Sequence, residues 1–286
     1  MRSAESPLRP ALLGIIGFPL FHTASPALHN AAFRAAGLPW VYAPFPVSPR
    51  RLPEAMKALD DLGVRGFNVT VPHKQAVIPF LKKLSPEALA VGAVNTVWRT
   101  SAGWAGDNTD IEGFGAPLRR HRRALEGTPV LMFGAGGAAR AAAFALVRTF
   151  KISALEIVAR RLRQAEEFVR WASRLDVHVA VTGAGLGDTR SWSSAFRAAK
   201  LVVNATPVGM DDAKQRMVPA GLRFHSNQIA YDLVYGQRTD FLVRAGRAHA
   251  AVIDGTPMLG AQAARAFEIW TGRPFPYRAV QKELGR

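Results

Sequence analysis

The sequence predicts an α/β protein of two domains, in which helices cover mainly parallel sheets. Two alternating series of short apolar runs and helical patterns indicate this fold, one before Gly113 and one that starts at Thr128. The charged segment RRHRRALEG separates the two series. A chain of 286 residues also exceeds the length of one average domain. We therefore expect one domain over residues 1–113 and a second over 114–255.

The first series alternates strand, helix, strand, helix and strand. Ser25 is a favoured N-cap and Pro26 a favoured first helical residue, so they predict where the first helix begins. Two later apolar runs predict a strand pair that turns at residues 101–103. The segments, in order, are ALLGIIG (11–17), SPALHNAAFRAAG (25–37), WVYAPFPV (40–47), RRLPEAMKALDDLG (50–63), GFNVTVP (66–72), AVNTVWRT and GWAGDNTD.

The second series repeats the alternation and ends on a helix at residues 257–272. No strand follows that helix, so we expect the helical segment 256–286 to pack back on the first domain. The other segments are TPVLMFGAGGAARAAAFALVRTF (128–150), ALEIVAR (154–160), RQAEEFVRWASRL (163–175), VHVAV (177–181), AKLVVNATP (199–207), QIAYDLV (228–234), DFLVRAGRAHA (240–250) and AVIDG (251–255).

The composition is that of a globular cytoplasmic protein. Hydrophobic residues make up 49% of the chain and charged residues 20%. No run reaches the roughly 20 apolar residues that cross a bilayer, and the first ten residues lack the apolar stretch of a signal peptide. Cysteine is absent, which excludes disulfides and thiolate chemistry. His22 and His73 have no second ligand at metal spacing, so we predict no metal site.

The net charge of +16 raises the possibility of a nucleic-acid-binding module. The arginines are spread along the chain, however, and no aromatic residues interleave with the clusters at 119–123 and 159–163, as a single-strand platform would require. We expect no nucleic-acid partner. Attraction of acidic small molecules is a more suitable use of the positive charge, and an arginine-rich composition without a specific role is the plainer alternative.

A glycine-rich turn indicates a dinucleotide site. Gly134, Gly136, Gly137 and Ala138 belong to a GxGxxA pattern that follows the strand PVLMF and precedes an alanine-rich helix. Small residues there let the backbone approach a pyrophosphate, whose charge then lies at the positive helix N-terminus. The strand, turn and helix together predict dinucleotide binding, and the alternative is a bare tight turn.

The end of the next strand favours NADP over NAD. Ala159, Arg160 and Arg161 stand where an NAD-selective fold often has Asp or Glu. A guanidinium pairs with a 2′-phosphate by charge-assisted hydrogen bonds, which an acid there would repel. The alternative is that these arginines only form a solvated helix start.

Polar side chains also follow the predicted strands of the first domain. Ligands of open α/β sheets bind beside the carboxyl ends of strands, so these side chains are candidates for one cleft. A lysine and an aspartate brought together there would form a pair able to relay a proton. The candidates are Thr23, Ser25, Asn68, Thr70, Lys74, Asn95, Asp107, Asn108 and Asp110.

Structural interpretations compete with several of these candidates. Ser25 could be only an N-cap, and Asp107 could cap a turn. Asn68 and Asn95 could satisfy buried backbone groups. Tyr235, in the motif DLVY, could be a core aromatic residue.

The motifs together resemble the shikimate dehydrogenase family, in order and over nearly the whole chain. They are GIIGFPLFHTASP, GFNVTVPHK, GAVNT, GDNTDIEG, GAGGAAR, NATPVGM, DLVY and GAQAARAF. The resemblance implies an N-terminal substrate domain, a Rossmann domain and a C-terminal helix that returns to the first domain. It also implies reduction of 3-dehydroshikimate to shikimate with NADPH, in aromatic amino acid biosynthesis by the chorismate pathway.

The resemblance assigns roles residue by residue. Lys74 and Asp110 would be the catalytic pair, with Lys74 as the proton donor to the carbonyl oxygen and Asp110 as its partner. The substrate would be held by Thr23, Ser25, Asn68, Thr70, Asn95, Tyr235 and Gln262. The cofactor would be held by Gly134, Gly136, Gly137, Ala138, Arg160 and Arg161, with Asn204 and Thr206 along its path and Gly255 and Met258 near the nicotinamide.

The chain departs from the family pattern at a few positions. Thr23 stands where the usual HSxSP motif has serine, and its methyl group narrows the carboxylate end of the pocket. Ala159, Arg160 and Arg161 replace the usual Asn-Arg-Thr. Quinate or aminoshikimate dehydrogenase activity is therefore the alternative within the family, and a non-catalytic dinucleotide-binding regulator is the alternative outside it. We expect a monomer or a homodimer.

Overall fold

The computed structural model describes residues 9–20 and 23–284. The chain divides into two compact units: unit 1 is Met1–Thr109 with Ala263–Arg286, and unit 2 is Asp110–Gln262. The mixed α/β class with mainly parallel sheets is confirmed. The functional domain bounds expected at 113/114 and 255/256 remain a prediction.

Unit 1 contains a six-stranded sheet in the order β2-β1-β3-β5-β6-β4. β1 pairs in parallel with β2 and β3, whereas β5 is antiparallel to β3 and β6. The expected strand pair that turns at residues 101–103 is confirmed. The elements are β1 (Ala11–Gly17), α1 (Ser25–Ala35), β2 (Trp40–Pro46), α2 (Leu52–Asp61), β3 (Gly66–Val69), α3 (His73–Ala76), β4 (Lys83–Leu84), α4 (Pro86–Val91), β5 (Thr96–Thr100) and β6 (Gly103–Asp107).

Strand β2 forms one edge of this sheet, and its outward backbone groups are blocked. The Asn30 amide on α1 accepts from Tyr42 N and donates to Tyr42 O, both at 2.9 Å. Because backbone direction alternates along a strand, Pro44 and Pro46 have the same outward orientation as Tyr42, and proline has no N–H. Within residues 42–46, therefore, this edge has no free outward N–H group.

The end of the chain forms two helices, not one: α11 (Thr256–Thr271) and α12 (Tyr277–Leu284). The helix predicted at 257–272 is confirmed as α11, whereas the expected helical segment 256–286 is divided into two helices. Gly272 has a φ of +68°, the left-handed conformation that ends helices, and prolines follow at 274 and 276. In unit 1, Phe267 of α11 stacks on Phe33 of α1 with ring centroids 5.7 Å apart.

Unit 2 contains a six-stranded, entirely parallel sheet in the order β12-β11-β10-β7-β8-β9. This is the strand order of the Rossmann fold. The elements are α5 (Asp110–Leu118), α6 (Arg122–Leu125), β7 (Pro129–Phe133), α7 (Gly137–Arg148), β8 (Ala154–Ala159), α8 (Leu162–Ala172), β9 (Ala180–Gly185), α9 (Thr189–Ala198), β10 (Leu201–Asn204), β11 (Ile229–Asp232), α10 (Asp240–Arg247) and β12 (Ala251–Ile253). The unit boundary after Gln262 falls within α11.

Strand β7 shows why the apolar runs of unit 2 are continuous. Val130 and Met132 belong to the apolar cluster on one face of the sheet, and Leu131 and Phe133 belong to the cluster on the other. Both faces are therefore covered, as a parallel sheet requires. Because both faces of the sheet are apolar, polar side chains lie at the strand ends.

No helix within residues 9–20 and 23–284 combines the length and apolar character needed to span a membrane.

Candidate active site

The start of α1 places Thr23 and Ser25 next to each other. The Ser25 amide donates to Thr23 Oγ1 at 3.3 Å, and the Ala24 carbonyl accepts the first helical bond, from Leu28 N. Ser25 is the first helical residue and is not the N-cap, so that expectation was wrong. The N-cap, Ala24, offers no side-chain oxygen to the first turn, and the Ser25 side chain is buried.

Tyr42 connects Ser25 with Asn68. The Tyr42 hydroxyl donates to Asn68 Oδ1 at 2.6 Å and also contacts the Ser25 side chain. Burial raises the pKa of Tyr42 well above its usual value, so the phenol remains a donor at neutral pH. His29 stacks on the same ring at 4.6 Å, and burial lowers its pKa to about 3, so His29 is neutral. Neither Tyr42 nor His29 was among the sequence candidates.

Asn68 and Asn95 lie together in the interior of unit 1. Asn68 Nδ2 donates to Asn95 O and to Thr96 Oγ1, each at 3.1 Å. Asn95 Oδ1 accepts from the amide of Thr109 at 2.7 Å. The structure therefore brings these two predicted residues together, and much of their hydrogen-bonding capacity goes to each other and to the backbone.

Asp107 caps a turn, which is the structural alternative to a role in ligand binding. Its Oδ1 accepts from the amide of Asn108 at 2.7 Å and from the hydroxyl of Ser85. Asn108 Nδ2 donates to Ala93 O at 2.8 Å. These contacts support the loop between β6 and α5.

The segment after β3 carries Thr70 and Lys74. The Thr70 amide donates to Ile16 O at 2.9 Å, and Lys74 O accepts from Val94 N at 2.7 Å, so backbone bonds fix the segment at both residues. His73 is buried, and its Nε2 lies 2.6 Å from Val47 O. Lys74 itself is half-buried on α3.

The glycine-rich turn of unit 2 has the geometry predicted for it. Gly134 has a φ of +111°, and a Cβ there would lie 2.7 Å from the backbone oxygen of Ala205. Gly136 is exposed, and a Cβ there would meet nothing within 4 Å. Gly137 and Ala138 begin α7. The open space beside Gly136 and the N-terminus of α7 fit a pyrophosphate.

The arginines after β8 are exposed. Arg160 and Arg161 are exposed immediately beyond the strand end. Arg163 is exposed as well, but its Nε contacts Glu167 Oε1 at 3.0 Å. The first two guanidinium groups therefore remain the better candidates for a 2′-phosphate.

The side chains of Asn204 and Thr206 serve the loop that follows β10. Asn204 Oδ1 accepts from the Thr206 amide at 3.0 Å and from the Thr206 hydroxyl at 2.6 Å. Asn204 Nδ2 donates to Asp232 Oδ1 at 2.9 Å. Asp232 was not a sequence candidate, although its place at the start of DLVY, at a strand end, could have identified it.

The remaining candidates of unit 2 differ in their surroundings. Asp110 is buried at the first position of α5, and Tyr235 is half-buried three residues beyond β11. A Cβ on Gly255 would overlap the backbone oxygen of Leu233, so that position requires glycine. Met258 packs in the apolar core, and Gln262 Nε2 donates to Leu259 O at 3.0 Å.

Lys74 belongs to unit 1 and Asp110 to unit 2, and their pairing remains a prediction. His22 lies outside the described residues. Within residues 9–20 and 23–284, no group of three His, Asp or Glu side chains is placed to hold a metal ion.

Comparison with known proteins gives two family matches. Residues 15–97 match the model described as shikimate dehydrogenase substrate binding domain. Residues 255–284 match the model described as shikimate 5'-dehydrogenase C-terminal domain. The two matches lie in different parts of the chain.

Curated relatives and solved structures cover nearly the whole chain. Shikimate dehydrogenase (NADP(+)) of Chlorobaculum tepidum is 42% identical over 96% of this chain and 94% of its own length. Shikimate 5-dehydrogenase from Thermus thermophilus, solved with NADP(H) and shikimate, is 34% identical with a TM-score of 0.81, over 96% of this chain and 98% of that one. Quinate dehydrogenase from Corynebacterium glutamicum, solved with NAD, is 31% identical with a TM-score of 0.85, over 96% and 99%.

These matches confirm the resemblance inferred from the motifs, and the chain belongs to the shikimate dehydrogenase family.

Proposed function

We propose that this protein catalyses the reversible, NADP-dependent reduction of 3-dehydroshikimate to shikimate, a step of aromatic amino acid biosynthesis. The observation that carries this proposal is the 42% identity, over 96% of the chain, to a shikimate dehydrogenase (NADP(+)). Unit 2 supplies a Rossmann sheet and unit 1 supplies a set of buried polar side chains suited to a polyol acid.

The residues of unit 2 fit the cofactor. The open surface at Gly136 and the start of α7 suit the pyrophosphate, and the exposed Arg160 and Arg161 suit the 2′-phosphate. Asn204 and Thr206 shape the neighbouring loop through their mutual hydrogen bonds. Gly255 and Met258 would lie near the nicotinamide. When bound, NADPH supplies the hydride.

Lys74 and Asp110 would move the proton. As the ring ketone receives hydride, Lys74 Nζ would donate a proton to the carbonyl oxygen, and in the reverse direction it would accept one. Asp110 would orient the ammonium group and stabilise its charge. Support for these roles comes from the matching motifs and from the partial burial of Lys74 and burial of Asp110, since removal from bulk water strengthens such a pair.

The substrate would be bound mainly by hydroxyl and amide groups. Thr23 and Ser25 would bind the carboxylate end, and the neutral Tyr42 phenol supports this by holding Ser25 and Asn68 together. Tyr235 would contact the carboxylate or its neighbouring hydroxyls. The ring hydroxyls would be bound by the side chains of Asn68, Thr70, Asn95 and Gln262.

Lys74→Ala tests the proton transfer. We expect turnover to fall about 100-fold or more, the scale of a lost general acid, while NADPH affinity stays near that of the wild type. Lys57→Ala is the matched control, because Lys57 is exposed and pairs with a neighbouring helical acid, Asp61. Steady-state kinetics and NADPH fluorescence titration measure both quantities. Near wild-type turnover in Lys74→Ala would rule out this role.

The substrate is tested by following NADPH or NADH formation with shikimate, quinate and aminoshikimate. We expect the highest kcat/KM with shikimate and NADP. Preference for quinate or aminoshikimate would assign the chain to the alternative activity within the family, to which the threonine at position 23 points. No reduction of either cofactor with any of the three would support a non-catalytic regulator.

We further propose that the protein works in the cytoplasm on small molecules, as a monomer or homodimer, without a nucleic-acid partner. A salt-sensitive mobility shift with DNA or RNA would contradict the last point.

A further inference from the structure

The carboxylate of Asp232, fully buried at the end of β11, has no role in the chemistry proposed for the active site. Its Oδ1 accepts from Asn204 Nδ2 at 2.9 Å and from Val234 N at 3.0 Å. Its Oδ2 accepts from Thr239 Oγ1 at 2.5 Å. These partners come from the end of β10, the loop after β11 and the N-cap of α10. One carboxylate therefore joins three segments at the carboxyl edge of the sheet.

Further contacts extend this junction to two loops, residues 205–210 and 233–239. Asn204 also binds Thr206, and Gln237 Nε2 donates to Met210 O at 2.6 Å and to the carbonyl of Gly209. The loops approach closely, since a Cβ on Gly209 would lie 2.6 Å from Thr239 Cγ2. Tyr235 lies in the middle of the second loop.

The energetics argue that this carboxylate is retained for geometry. Burial raises the pKa of Asp232 to about 6, because its hydrogen bonds offset only part of the cost of removing the charge from water. An apolar residue would avoid that cost, but it would leave the donors of Asn204, Val234 and Thr239 without this acceptor. What an apolar side chain lacks is the directional contact with three separate segments.

We propose that Asp232 is a positioning residue, which holds the loop 233–239 against the loop 205–210 so that Tyr235 meets the substrate in one orientation. The role of Tyr235 rests on the proposed function. Asp232 itself touches neither substrate nor cofactor. It acts through Val234 N, one residue before Tyr235, and through Asn204.

The test compares two substitutions at opposite ends of the same strand. Asp232→Leu removes three buried hydrogen bonds beside the loops. Gln228→Leu removes three at the start of β11, where Gln228 binds Phe196 O, Ala199 O and His225 N. Asp232→Asn is the conservative variant, because its amide oxygen still accepts from Asn204 and Val234 and its nitrogen can donate to Thr239.

We expect Asp232→Leu to raise the KM for shikimate roughly tenfold, the scale of one lost hydrogen bond. Gln228→Leu should leave that KM unchanged, and Asp232→Asn should restore most of it. In hydrogen exchange, the amides of Val234 and Thr206 should exchange faster in Asp232→Leu than in Gln228→Leu. Equal KM values in the two leucine variants, or equal exchange at these amides, would overturn the proposal.

Failure of the proposed function and failure of the Asp232 proposal give different results. If the wild type reduces no cofactor with shikimate, the proposed function fails, and the exchange comparison still tests whether Asp232 holds the loops. If Asp232→Leu does not fold, Thr239→Val replaces it, because that change keeps the side-chain shape and removes the bond to Oδ2, together with the capping bond from Leu242 N. Unaltered exchange at Val234 and unaltered KM in Thr239→Val would then count against the proposal.

Discussion

At the scale of single residues, buried polar side chains satisfy one another before any ligand is bound. Asn68 uses both of its N–H groups on Asn95 and Thr96, and its oxygen accepts from Tyr42. It can offer a substrate only the remaining lone pair of Oδ1. The Ser25 hydroxyl has the Tyr42 side chain as a partner, and with one donor and two acceptor positions it keeps capacity for a further bond. We expect Ser25 to contribute more directly to substrate binding than Asn68.

The raised pKa of Asp232 gives a testable pH dependence of stability. The carboxyl has an ordinary pKa of 3.8 and a folded-state pKa of about 6, so the folded protein binds this proton more tightly than the unfolded chain does. The stabilisation from this proton is therefore fully present below about pH 4. As the pH rises to about 6 and above, the free energy of unfolding falls by about 3 kcal/mol. Asp254 adds to the shift by repulsion.

Asp232→Asn removes this titration. Urea unfolding of both proteins between about pH 4 and pH 7 should show the wild type losing about 3 kcal/mol relative to the variant. Other titrating groups are common to both proteins and cancel in the difference. Parallel stability curves would show that Asp232 does not titrate as stated.

Arg160→Ala tests the choice of cofactor. We expect NADPH affinity to fall about tenfold or more and NADH affinity to change little, because only NADPH carries the 2′-phosphate. Arg163→Ala is the control, since that guanidinium pairs with Glu167. Fluorescence titration with both nucleotides measures the effect, and equal losses for NADPH and NADH would show that Arg160 meets no 2′-phosphate.

At the scale of elements, the turn between β7 and α7 uses two glycines for different reasons. Gly134 is required by the fold, because its φ is +111° and Ala205 O leaves no space for a Cβ. Gly136 has a φ of −87° and open space around it, so the fold tolerates a side chain there. The second glycine is therefore available for the close approach of a ligand, as its predicted cofactor role requires.

Alanine at these two positions should separate stability from binding. Gly134→Ala should lower the free energy of unfolding by about 1–3 kcal/mol, from strain at positive φ and contact with Ala205. Gly136→Ala should change it by less than about 0.5 kcal/mol, yet weaken NADPH binding about tenfold by filling the pyrophosphate space. Thermal unfolding and NADPH titration check both, and normal NADPH affinity in Gly136→Ala would place the pyrophosphate elsewhere.

The elements could largely be predicted, because their signals are local. Strand β7 and its neighbours are apolar runs bounded by turn residues, and the glycine-rich turn marks the start of helix α7. Helix α9 escaped prediction, since only Trp192 and Phe196 mark its buried face among serines. Strand β9 begins at Ala180, later than the expected 177, because the weak alternation of its sequence fixes no boundary.

At the scale of the whole molecule, the sequence predicts which polar residues lie at strand ends. It does not predict which of them are used in hydrogen bonds that stabilise the fold. Strand ends identify Asn204 and Asn68 as candidates, whereas the bond from Asn204 to Asp232 spans 28 residues and depends on strand order. The contact between Tyr42 and Asn68 likewise joins two separate strands. Such partners follow from tertiary packing, so sequence patterns alone cannot identify them.

The net charge of +16 should assist capture of anionic substrates. Raising the salt concentration from about 10 mM to about 1 M shortens the screening length from roughly 30 Å to roughly 3 Å. We expect kcat/KM for NADP and for shikimate to fall several-fold, with kcat at saturation nearly constant. A salt-independent kcat/KM would show that the positive field has no such role.

The blocked edge of β2 bears on how copies of this chain associate. The Asn30 side chain forms hydrogen bonds with the backbone N–H and C=O of Tyr42, and Pro44 and Pro46 have no N–H. The opposite edge of the same sheet, β4, is only two residues long. An invading strand from a second molecule would find no outward N–H donor along residues 42–46 of β2. A homodimer should therefore not extend the unit 1 sheet across β2, and the same arrangement guards this edge against aggregation.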